Sequence, residues 1–253
     1  MGNVMRIMLI LLVFPAVATC FERGMLNLRV PYTEVETGSL ELRVDHRFYG
    51  EAFGEDPFED FFGMDVGANV GVDLRLFPWR RLDVRLGHVR SGSRYLGGIG
   101  WSQTLPFRGM ETYAYLGFKS LEIDPVKGRE GDFVGLITLT SGPFWNRLVP
   151  IVGYCYDGYS DRGGPGIGLD VELVDKLSVT GEFFPVLDRE EEGTPSDILA
   201  EDAFSFGIRA TTWGHQFIVA LSNSQGIGMA DQLSGTAHDG LFLGFSIRRM
   251  FSF

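Results

Sequence analysis

Apolar and polar residues alternate at every second position through much of this sequence. The alternation is clearest in residues 39–48, 65–76, 166–173 and 204–211, where one parity is apolar and the other is charged, polar or glycine. The side chains of a β-strand point in turn to its two faces. These four stretches therefore predict strands with one apolar and one polar face.

The C-terminal residues 240–253 repeat this alternation, and weaker stretches fill the gaps between the clear ones. The weaker candidates are residues 82–91, 93–105, 111–121, 132–140, 147–157, 176–187 and 214–222. The total is about twelve strands, and an even number is expected of a single-chain bacterial barrel. The pattern leaves the exact strand count open within residues 93–157.

The connections between the predicted strands alternate in length. Those after the first, fifth, ninth and eleventh strands are long, whereas those after the second, eighth and tenth are tight. Long loops at one end and short turns at the other are typical of an up-and-down barrel. We therefore predict an all-β fold, an antiparallel up-and-down transmembrane β-barrel of about twelve strands, with both termini at the short-turn end.

Two features indicate that the apolar face looks outward to lipid. Charges of both signs occupy the polar parity, and aromatic residues gather near strand ends, where interfacial girdles lie. The predicted lumen-facing charges are Glu41, Arg43, Asp45, Arg47, Asp73, Arg75, Asp83, Arg85 and Arg209. The predicted girdle residues are Phe48, Tyr49, Phe77, Trp79, Trp101, Phe107, Phe144, Trp145 and Trp213. We expect opposite charges at matching depth to pair across neighbouring strands and to narrow the lumen. The example is the set Glu41, Arg43, Asp45 and Arg47 beside Asp73 and Arg75.

The N-terminus has the pattern of an export signal. Arg6 precedes an apolar run over residues 7–14, and Ala16 and Ala18 form a small-x-small cleavage site. The apolar run is shorter than the roughly 20 residues that a membrane-spanning helix needs. Cleavage before Cys20, followed by lipidation of its thiol, is an alternative that the sequence leaves open.

These signals divide the chain into three parts. We predict a cleaved signal peptide at residues 1–18, an N-terminal periplasmic segment at residues 19–37 and a β-barrel domain at residues 38–253. An exported barrel with an apolar outer face belongs in the outer membrane of a Gram-negative cell. Outer-membrane lipid is therefore an expected partner.

Composition argues against several functions. The formal net charge is −11, whereas a nucleic-acid binder needs a basic face for the phosphates. Cys20 and Cys155 are the only cysteines, so zinc-type spacing is absent. The acidic loops lack the ordered ligand spacing of a calcium loop. We therefore expect no nucleic-acid partner, no metal site and no cofactor.

Three sequence blocks carry a resemblance to a known family. LRVDHRFYG, DFFGMDVGANVGVDLRL, and GHQFIVALSNSQG followed by GFSIRRMFSF resemble an uncharacterised bacterial domain-of-unknown-function family of predicted β-barrel, outer-membrane-type proteins. The similarity runs from residue 38 to the end of the chain. It implies the fold and the compartment, and it implies no activity.

The final strand resembles the last strand of outer-membrane barrels, whose terminal aromatic residue is read by the barrel assembly machinery. The residues that carry this resemblance are Phe245, Ile247, Phe251 and Phe253. It implies the assembly machinery as a partner. Arg249 is the one charge on the apolar parity, and near the periplasmic edge its side chain can snorkel toward lipid headgroups.

The stretch GHVRSGSRY, residues 87–95, invites comparison with outer-membrane phospholipases and lipid A deacylases, in which a serine follows a histidine by two positions. Here position 90 is arginine, and Ser91 falls on the opposite strand face from His88. That spacing prevents the hydrogen bond by which a base activates its nucleophile. We predict that the protein is not an enzyme and has no catalytic residues.

Two loop features complete the prediction. Phe58, Phe61 and Phe62 lie in the first long loop and are unusual for a purely solvated segment, so we expect this loop to fold into the barrel mouth as a plug. The glycines of GGPGIG, residues 163–168, are interpreted as a Pro-Gly turn.

The leading functional interpretation is an outer-membrane β-barrel that forms a narrow passive pore or transports a small solute. A non-conducting structural or surface-interaction barrel is one alternative, and a soluble secreted β-sandwich or barrel is the other. The sequence identifies no transported solute. It leaves open the oligomeric state and whether the lumen is open.

Overall fold

A computed structural model of the chain describes residues 24–32, 35–107, 109–124, 128–142, 147–187, 201–237 and 240–253. Twelve β-strands account for most of these residues. The strands are β1 (Leu40–Glu51), β2 (Ala68–Trp79), β3 (Leu82–Val89), β4 (Arg94–Thr104), β5 (Glu111–Asp124), β6 (Gly128–Thr140), β7 (Leu148–Asp157), β8 (Arg162–Val174), β9 (Leu177–Phe184), β10 (Ala203–Thr212), β11 (His215–Ser222) and β12 (Phe242–Phe251). A short helix, α1 (Met229–Gln232), lies between β11 and β12. Within the described ranges no helix is long and apolar enough to cross a membrane.

Each strand pairs antiparallel with its neighbours in sequence, and β1 pairs with β12 to close the barrel. At this closure Val44 lies opposite Ile247, and Leu40 lies opposite Phe251. The predicted up-and-down barrel of twelve strands is therefore confirmed. Strands β4 to β7 fill the region in which the sequence left the count open.

The connections form one short-turn end and one long-loop end. Both ends of the described barrel, β1 and β12, meet at the short-turn end, together with two-residue turns such as residues 175–176 and 213–214. The fifth connection was predicted to be long, but only residues 125–127 separate β5 from β6. The backbone pairing continues outward through Leu121 and Glu130, so charged residues there belong to a projecting hairpin and not to a loop.

The two faces of the wall have opposite character. Outward-facing Leu86, Leu116 and Ile208 are 64%, 64% and 56% exposed, whereas inward-facing Arg43 and Asp83 are 1% and 0% exposed. A soluble domain has the reverse arrangement, with apolar side chains inside and charges outside. A continuous apolar outer wall around a polar interior is stable only in lipid. The alternative of a soluble secreted sandwich or barrel is therefore wrong.

Aromatic residues border this wall at the short-turn end. Trp79, Phe107 and Trp213 are 66%, 63% and 66% exposed, which suits an interfacial girdle. Phe77 was predicted to join them but is 1% exposed, because its ring packs inside the barrel against Tyr32 with 5.8 Å between ring centroids. Residues 144 and 145, the other predicted pair, lie outside the described residues.

The last strand presents its apolar parity to the outside. Phe245 stacks on His46 of β1 with 4.4 Å between ring centroids, so an aromatic contact lies across the closure of the barrel. Arg249 shares this face, where its guanidinium lies 3.0 Å from the ring nitrogen of His215 and 5.0 Å from the ring centroid of Phe251. Phe253 is 79% exposed. The charge on the apolar parity thus has polar and aromatic neighbours at the short-turn edge.

Replacing Ile99 with arginine tests which face meets lipid. Ile99 is 57% exposed at the middle of β4, and arginine at a bilayer midplane destabilises a barrel by about 2–4 kcal/mol. We expect Ile99→Arg to lower the free energy of unfolding by that amount in phospholipid vesicles, measured by denaturant titration of tryptophan fluorescence. Val66→Arg is the matched control, because Val66 is 59% exposed but precedes β2 at the loop end. An equal loss in the control would contradict the lipid-facing assignment.

Candidate functional site

The lumen is occupied by the chain's own residues 24–32, which we call the lumen segment. Its side chains at Met25, Leu28 and Tyr32 are 0%, 0% and 1% exposed. The segment was predicted, within residues 19–37, to lie in the periplasm, and the structure places this part of it inside the barrel instead. The predicted signal peptide, residues 1–18, and residues 19–23 lie outside the described residues.

The lumen segment enters and leaves at the short-turn end. Near one end of it, Gly24 lies against Gln216 at the start of β11. After its other end, the backbone N–H of Gly38 donates to the carbonyl of Phe77, near the end of β2. Asn27 lies deepest, since its side-chain oxygen accepts from the N–H of Gly228 in the β11–β12 loop at 3.2 Å. The segment therefore runs up the lumen and back as a bent loop.

One wall carboxylate holds the tip of this bend. The backbone N–H groups of Asn27 and Leu28 donate to the carboxylate of Glu182 at 2.9 and 2.8 Å, and the Asn27 side-chain amide donates to it at 3.1 Å. The hydroxyl of Ser205 on β10 donates to the same carboxylate at 2.9 Å. Hydrogen bonds to a charged acceptor are the stronger kind, so Glu182 is the main polar anchor of the segment.

Three wall arginines bind backbone carbonyls of the segment. Arg43 donates to the carbonyl of Leu26, and Arg248 donates to the carbonyl of Met25. Arg209 donates to the carbonyl of Gly24, the residue before Met25, at 3.4 Å. Non-helical backbone inside a barrel has no neighbouring strand to pair with, and its polar groups need other partners. The inward arginines supply those partners.

All nine charges that were predicted to face the lumen lie inside the barrel in the structure. Two pairs form across neighbouring strands, but between β2 and β3: Arg85 with Asp73, and Arg75 with Asp83 at 2.8 Å. The predicted example had placed the β1 charges beside Asp73 and Arg75. Arg29 of the lumen segment joins the first pair at 2.6 Å from Asp73. This carboxylate therefore links the wall to the segment, an arrangement that wall-to-wall pairing alone does not predict.

Other lumen charges depart from simple cross-strand pairing. Arg43 pairs with Asp45 two residues along its own strand at 2.7 Å, and Arg209 reaches past β9 to Asp170 on β8 at 2.5 Å. Arg47 donates to the carbonyl of its neighbour, residue 46, at 2.8 Å. Glu41 is buried on the same inward face.

An aromatic cage closes the lumen near the short-turn end. The guanidinium of Arg75 lies 4.6 Å from the ring centroid of Tyr32, 4.7 Å from that of Tyr113 and 5.0 Å from that of Phe77. The backbone N–H of Tyr32 also donates to the hydroxyl of Ser102 at 3.0 Å. A cation surrounded by desolvated rings is strongly stabilised. The part of the lumen through which the segment leaves at the short-turn end is therefore packed and not open.

Strands β7 and β8 leave room for the segment through glycines. A Cβ added at Gly168 would lie 2.7 Å from Leu28, and one at Gly153 would lie 3.0 Å from the same side chain. The GGPGIG stretch was interpreted as a turn, but residues 163–168 belong to β8. Within this stretch Gly168 makes room for Leu28, whereas a Cβ at Gly166 would meet Phe184 and Met229. The sequence alone could not show where these side chains lie.

The β11–β12 loop closes the lumen from the other end. Asp231 of α1 forms an ion pair with both terminal nitrogens of Arg94 on β4, one of them at 2.6 Å. Met229 and Leu233 beside it are buried in the same apolar cluster as Leu28. The lumen is thus filled by two segments that meet at its centre.

The loop that was predicted to plug the mouth lies elsewhere. Phe58 and Phe61 are 82% and 65% exposed, and Phe62 faces a groove on the outer wall beside Phe206. The turn of this loop packs closely on the end of β1, since a Cβ added at Gly50 would lie 2.5 Å from the Cα of Gly63. The plug prediction is therefore corrected: the aromatic loop lies outside the lumen.

Two spaces remain on the β2–β6 side of the lumen. The outer one, which we call the vestibule, has a volume of about 380 Å³ and lies at the long-loop end, between Tyr49, Tyr159 and Gln225. The inner cavity has a volume of about 80 Å³ and reaches Arg29 and the charges around it. Arg94, Lys119 and Asp231 line both spaces. The salt bridges of these side chains therefore form the partition between them.

The histidine–serine stretch has no catalytic arrangement. His88 lies on the outer face, where its ring packs on Tyr95 with 4.7 Å between centroids. Ser91 lines the vestibule, and its backbone N–H donates to Asn69 at 3.1 Å. Among the described residues, no three histidine, cysteine or acidic side chains come together as a metal site.

Comparison with known families supports the membrane assignment. Residues 157–251 match a family model described as "Membrane bound beta barrel domain (DUF5777)". The match covers the end of β7 to the end of β12, whereas the resemblance in the sequence blocks extends back to residue 38. No curated protein matches the chain. The family resemblance is confirmed over the matched part, and it concerns fold and membrane attachment only.

Solved structures give the same fold at low identity. A protein from a study of in-meso crystallization of membrane proteins is 12% identical, with 86% of this chain and 84% of that chain covered at a TM-score of 0.50. An outer membrane channel from Pseudomonas putida F1 is 10% identical, with 87% and 98% covered at 0.49. The outer membrane protein Omp33 of Acinetobacter baumannii is 9% identical, with 85% and 98% covered at 0.45. These similarities concern the barrel architecture alone.

An enzyme also occurs among the similar structures. Outer membrane phospholipase A from Escherichia coli is 10% identical, with 84% of this chain and 92% of that chain covered at a TM-score of 0.45. Its similarity to this chain is too low to carry an argument about activity. A NanC porin is 9% identical, with 85% of this chain and 100% of that chain covered at a TM-score of 0.47.

Replacing Glu182 with glutamine tests the anchor. The variant removes the charge that holds two backbone N–H groups, and a hydrogen bond to a charged group contributes about 1.5–3 kcal/mol. We expect Glu182→Gln to lower the free energy of unfolding by about this amount, measured by denaturant titration in detergent micelles. Glu172→Gln on the exposed part of β8 is the control and should change little. Equal stability of both variants would show that the segment is held by other contacts.

Proposed function

We propose that this membrane-bound β-barrel is a gated outer-membrane pore for small polar solutes, closed in the conformation described by its own lumen segment. The observation that carries the proposal is the bent segment, which enters and leaves the lumen at one end and meets the β11–β12 loop at its tip. Twelve strands enclose too little width for an open aqueous channel once such a segment is present. Conduction therefore requires the segment to withdraw, which also removes the Asn27 and Leu28 contacts that hold the β11–β12 loop in the lumen.

The geometry favours withdrawal toward the short-turn end. Because the segment is a bent loop, it can leave without breaking any strand pairing of the barrel wall. In barrels of this kind the short turns face the periplasm and the long loops face outward. The polar groups that would be uncovered, Glu182, Arg43 and Arg248 among them, line the lumen and would be solvated by entering water.

The vestibule and the inner cavity also favour a pore. They lie one behind the other from the outer mouth to the Arg29 cluster, and the Arg94–Asp231 and Lys119–Asp157 pairs lie at the boundary between them.

A non-conducting structural barrel is the second candidate, and the apolar packing of the segment favours it. Met25, Leu28 and Tyr32 belong to one buried cluster with wall residues such as Ile151 and Phe184. Burying a large apolar side chain contributes about 1.5–3 kcal/mol, so the closed state is well stabilised. In this candidate the segment is a permanent core.

Planar-bilayer recording separates the two candidates. We expect the full chain to show long closed periods, and a variant lacking residues 24–32 to show sustained conductance. Glu182→Gln should raise the open probability by about tenfold, because each 1.4 kcal/mol removed from the closed state shifts the equilibrium tenfold. This point variant keeps the test informative if the deletion prevents folding.

Deleting residues 55–62 is the matched control for this recording. That loop is of similar length, but it lies outside the lumen, so its removal should leave the conductance of the full chain unchanged. Folding of every variant is checked by its heat-modifiable migration on a gel. A folded deletion of residues 24–32 that conducts nothing would reject the pore and support the structural barrel.

A further inference from the structure

Uncharged hydrogen-bonding groups are frequent among the residues that line the vestibule. Hydroxyls and amides surround it on strands and loops from several parts of the chain. They belong to Tyr49, Asn69, Ser91, Tyr159, Ser160 and Gln225. Its volume of about 380 Å³ is at the lower end of the range of about 300–1,000 Å³ for small-molecule sites. The space therefore suits a small polar molecule.

The charged groups of the vestibule cancel one another. Arg94 is paired with Asp231, and Lys119 is paired with Asp157, so two cations face two carboxylates. A free ion would have to displace a carboxylate or an ammonium from a partly buried pair, which is unfavourable. The acidic loop at the same end, with Glu55 exposed, and the net charge of −11 add repulsion for anions. The site therefore favours a neutral ligand.

One buried acceptor at this site lacks a partner. Asp157 is 2% exposed, and one of its carboxylate oxygens accepts from Lys119 and from Ser160, the latter at 3.1 Å. Among the described residues, its second oxygen, Oδ1, has no hydrogen-bond donor. A buried carboxylate oxygen needs a donor, and a ligand hydroxyl provides one without adding charge.

A tyrosine ring lies beside Lys119, the ion-pair partner of Asp157. The Lys119 ammonium is 5.4 Å from the ring centroid of Tyr159, which is 39% exposed and lines the vestibule. Tyr49, also 39% exposed, lines the same space. Tyrosine offers a flat apolar face and a polar hydroxyl, which matches the two kinds of surface on a sugar ring.

We propose that the vestibule binds a small, neutral, hydroxyl-rich solute, with a mono- or disaccharide as the chemical class. Asp157 accepts from a solute hydroxyl, Tyr159 packs against a ring face, and the surrounding hydroxyls and amides complete the hydrogen bonds. The inference names the solute of the pore proposed above and rests on that function for its role in transport. Binding itself needs no conduction.

Calorimetric titration of the full chain in detergent tests the proposal. The probes are maltose as the neutral saccharide, choline as an organic cation and inorganic phosphate as an anion. We expect maltose to bind with a Kd on the order of 1 mM, and choline and phosphate to give no measurable heat. Binding of choline or phosphate in preference to maltose would overturn the proposal.

Two variants locate the site. Tyr159→Ala removes the ring and Asp157→Asn removes the buried acceptor charge, and each should weaken maltose binding by about tenfold or more. Tyr154→Ala is the matched control, because Tyr154 is 51% exposed on the outer face of β7. Circular dichroism confirms that each variant remains folded. Maltose binding that is equal in all three variants would place any saccharide site elsewhere and reject this one.

The outcomes distinguish this inference from the proposed pore. Maltose binding to a barrel whose deletion variant never conducts would reject the pore and keep the saccharide site. Conductance without maltose binding would keep the pore and reject the saccharide site.

Discussion

The need to compensate polar groups inside a lipid-embedded wall governs this structure. An apolar exterior forces charges such as Arg43 and Glu182 into a narrow interior, where a charge without partners is strongly destabilising. Wall-to-wall salt bridges satisfy some of them, and backbone groups of the lumen segment satisfy others. The segment and the inward charges therefore depend on each other: the charges hold the segment, and the segment supplies the partners they lack.

The same dependence explains the mixed character of the lumen. On the β7–β9 side, glycines such as Gly168 make room for Leu28, and apolar contacts dominate. On the β2–β6 side, ion pairs leave space between them, and the vestibule and inner cavity lie there. The bent segment can pack against both halves because it meets each half with the matching kind of side chain.

Much of the barrel could be predicted from the sequence, because a strand's two faces appear as a period of two. That signal located all twelve strands and the inward position of charges such as Asp73 and Arg85. The lumen segment was missed although Leu28, Val30 and Tyr32 also alternate. Its anchors are backbone groups, which no side-chain pattern records. The Phe58 loop was likewise misplaced, because the contact between its turn and Gly50 is a tertiary contact that the sequence does not display.

The short connection between the lumen segment and β1 has a kinetic consequence. Only residues 33–39 separate Tyr32 from the start of the first strand. In the proposed pore, a withdrawn segment would therefore stay tethered beside the short-turn opening of the lumen. A short tether holds its end at an effective concentration in the millimolar range. Return to the lumen is then an intramolecular event that needs no encounter with a second molecule. Openings would be brief and self-terminating unless something on the short-turn side captured the segment, and the lifetime of the open state would report on that capture.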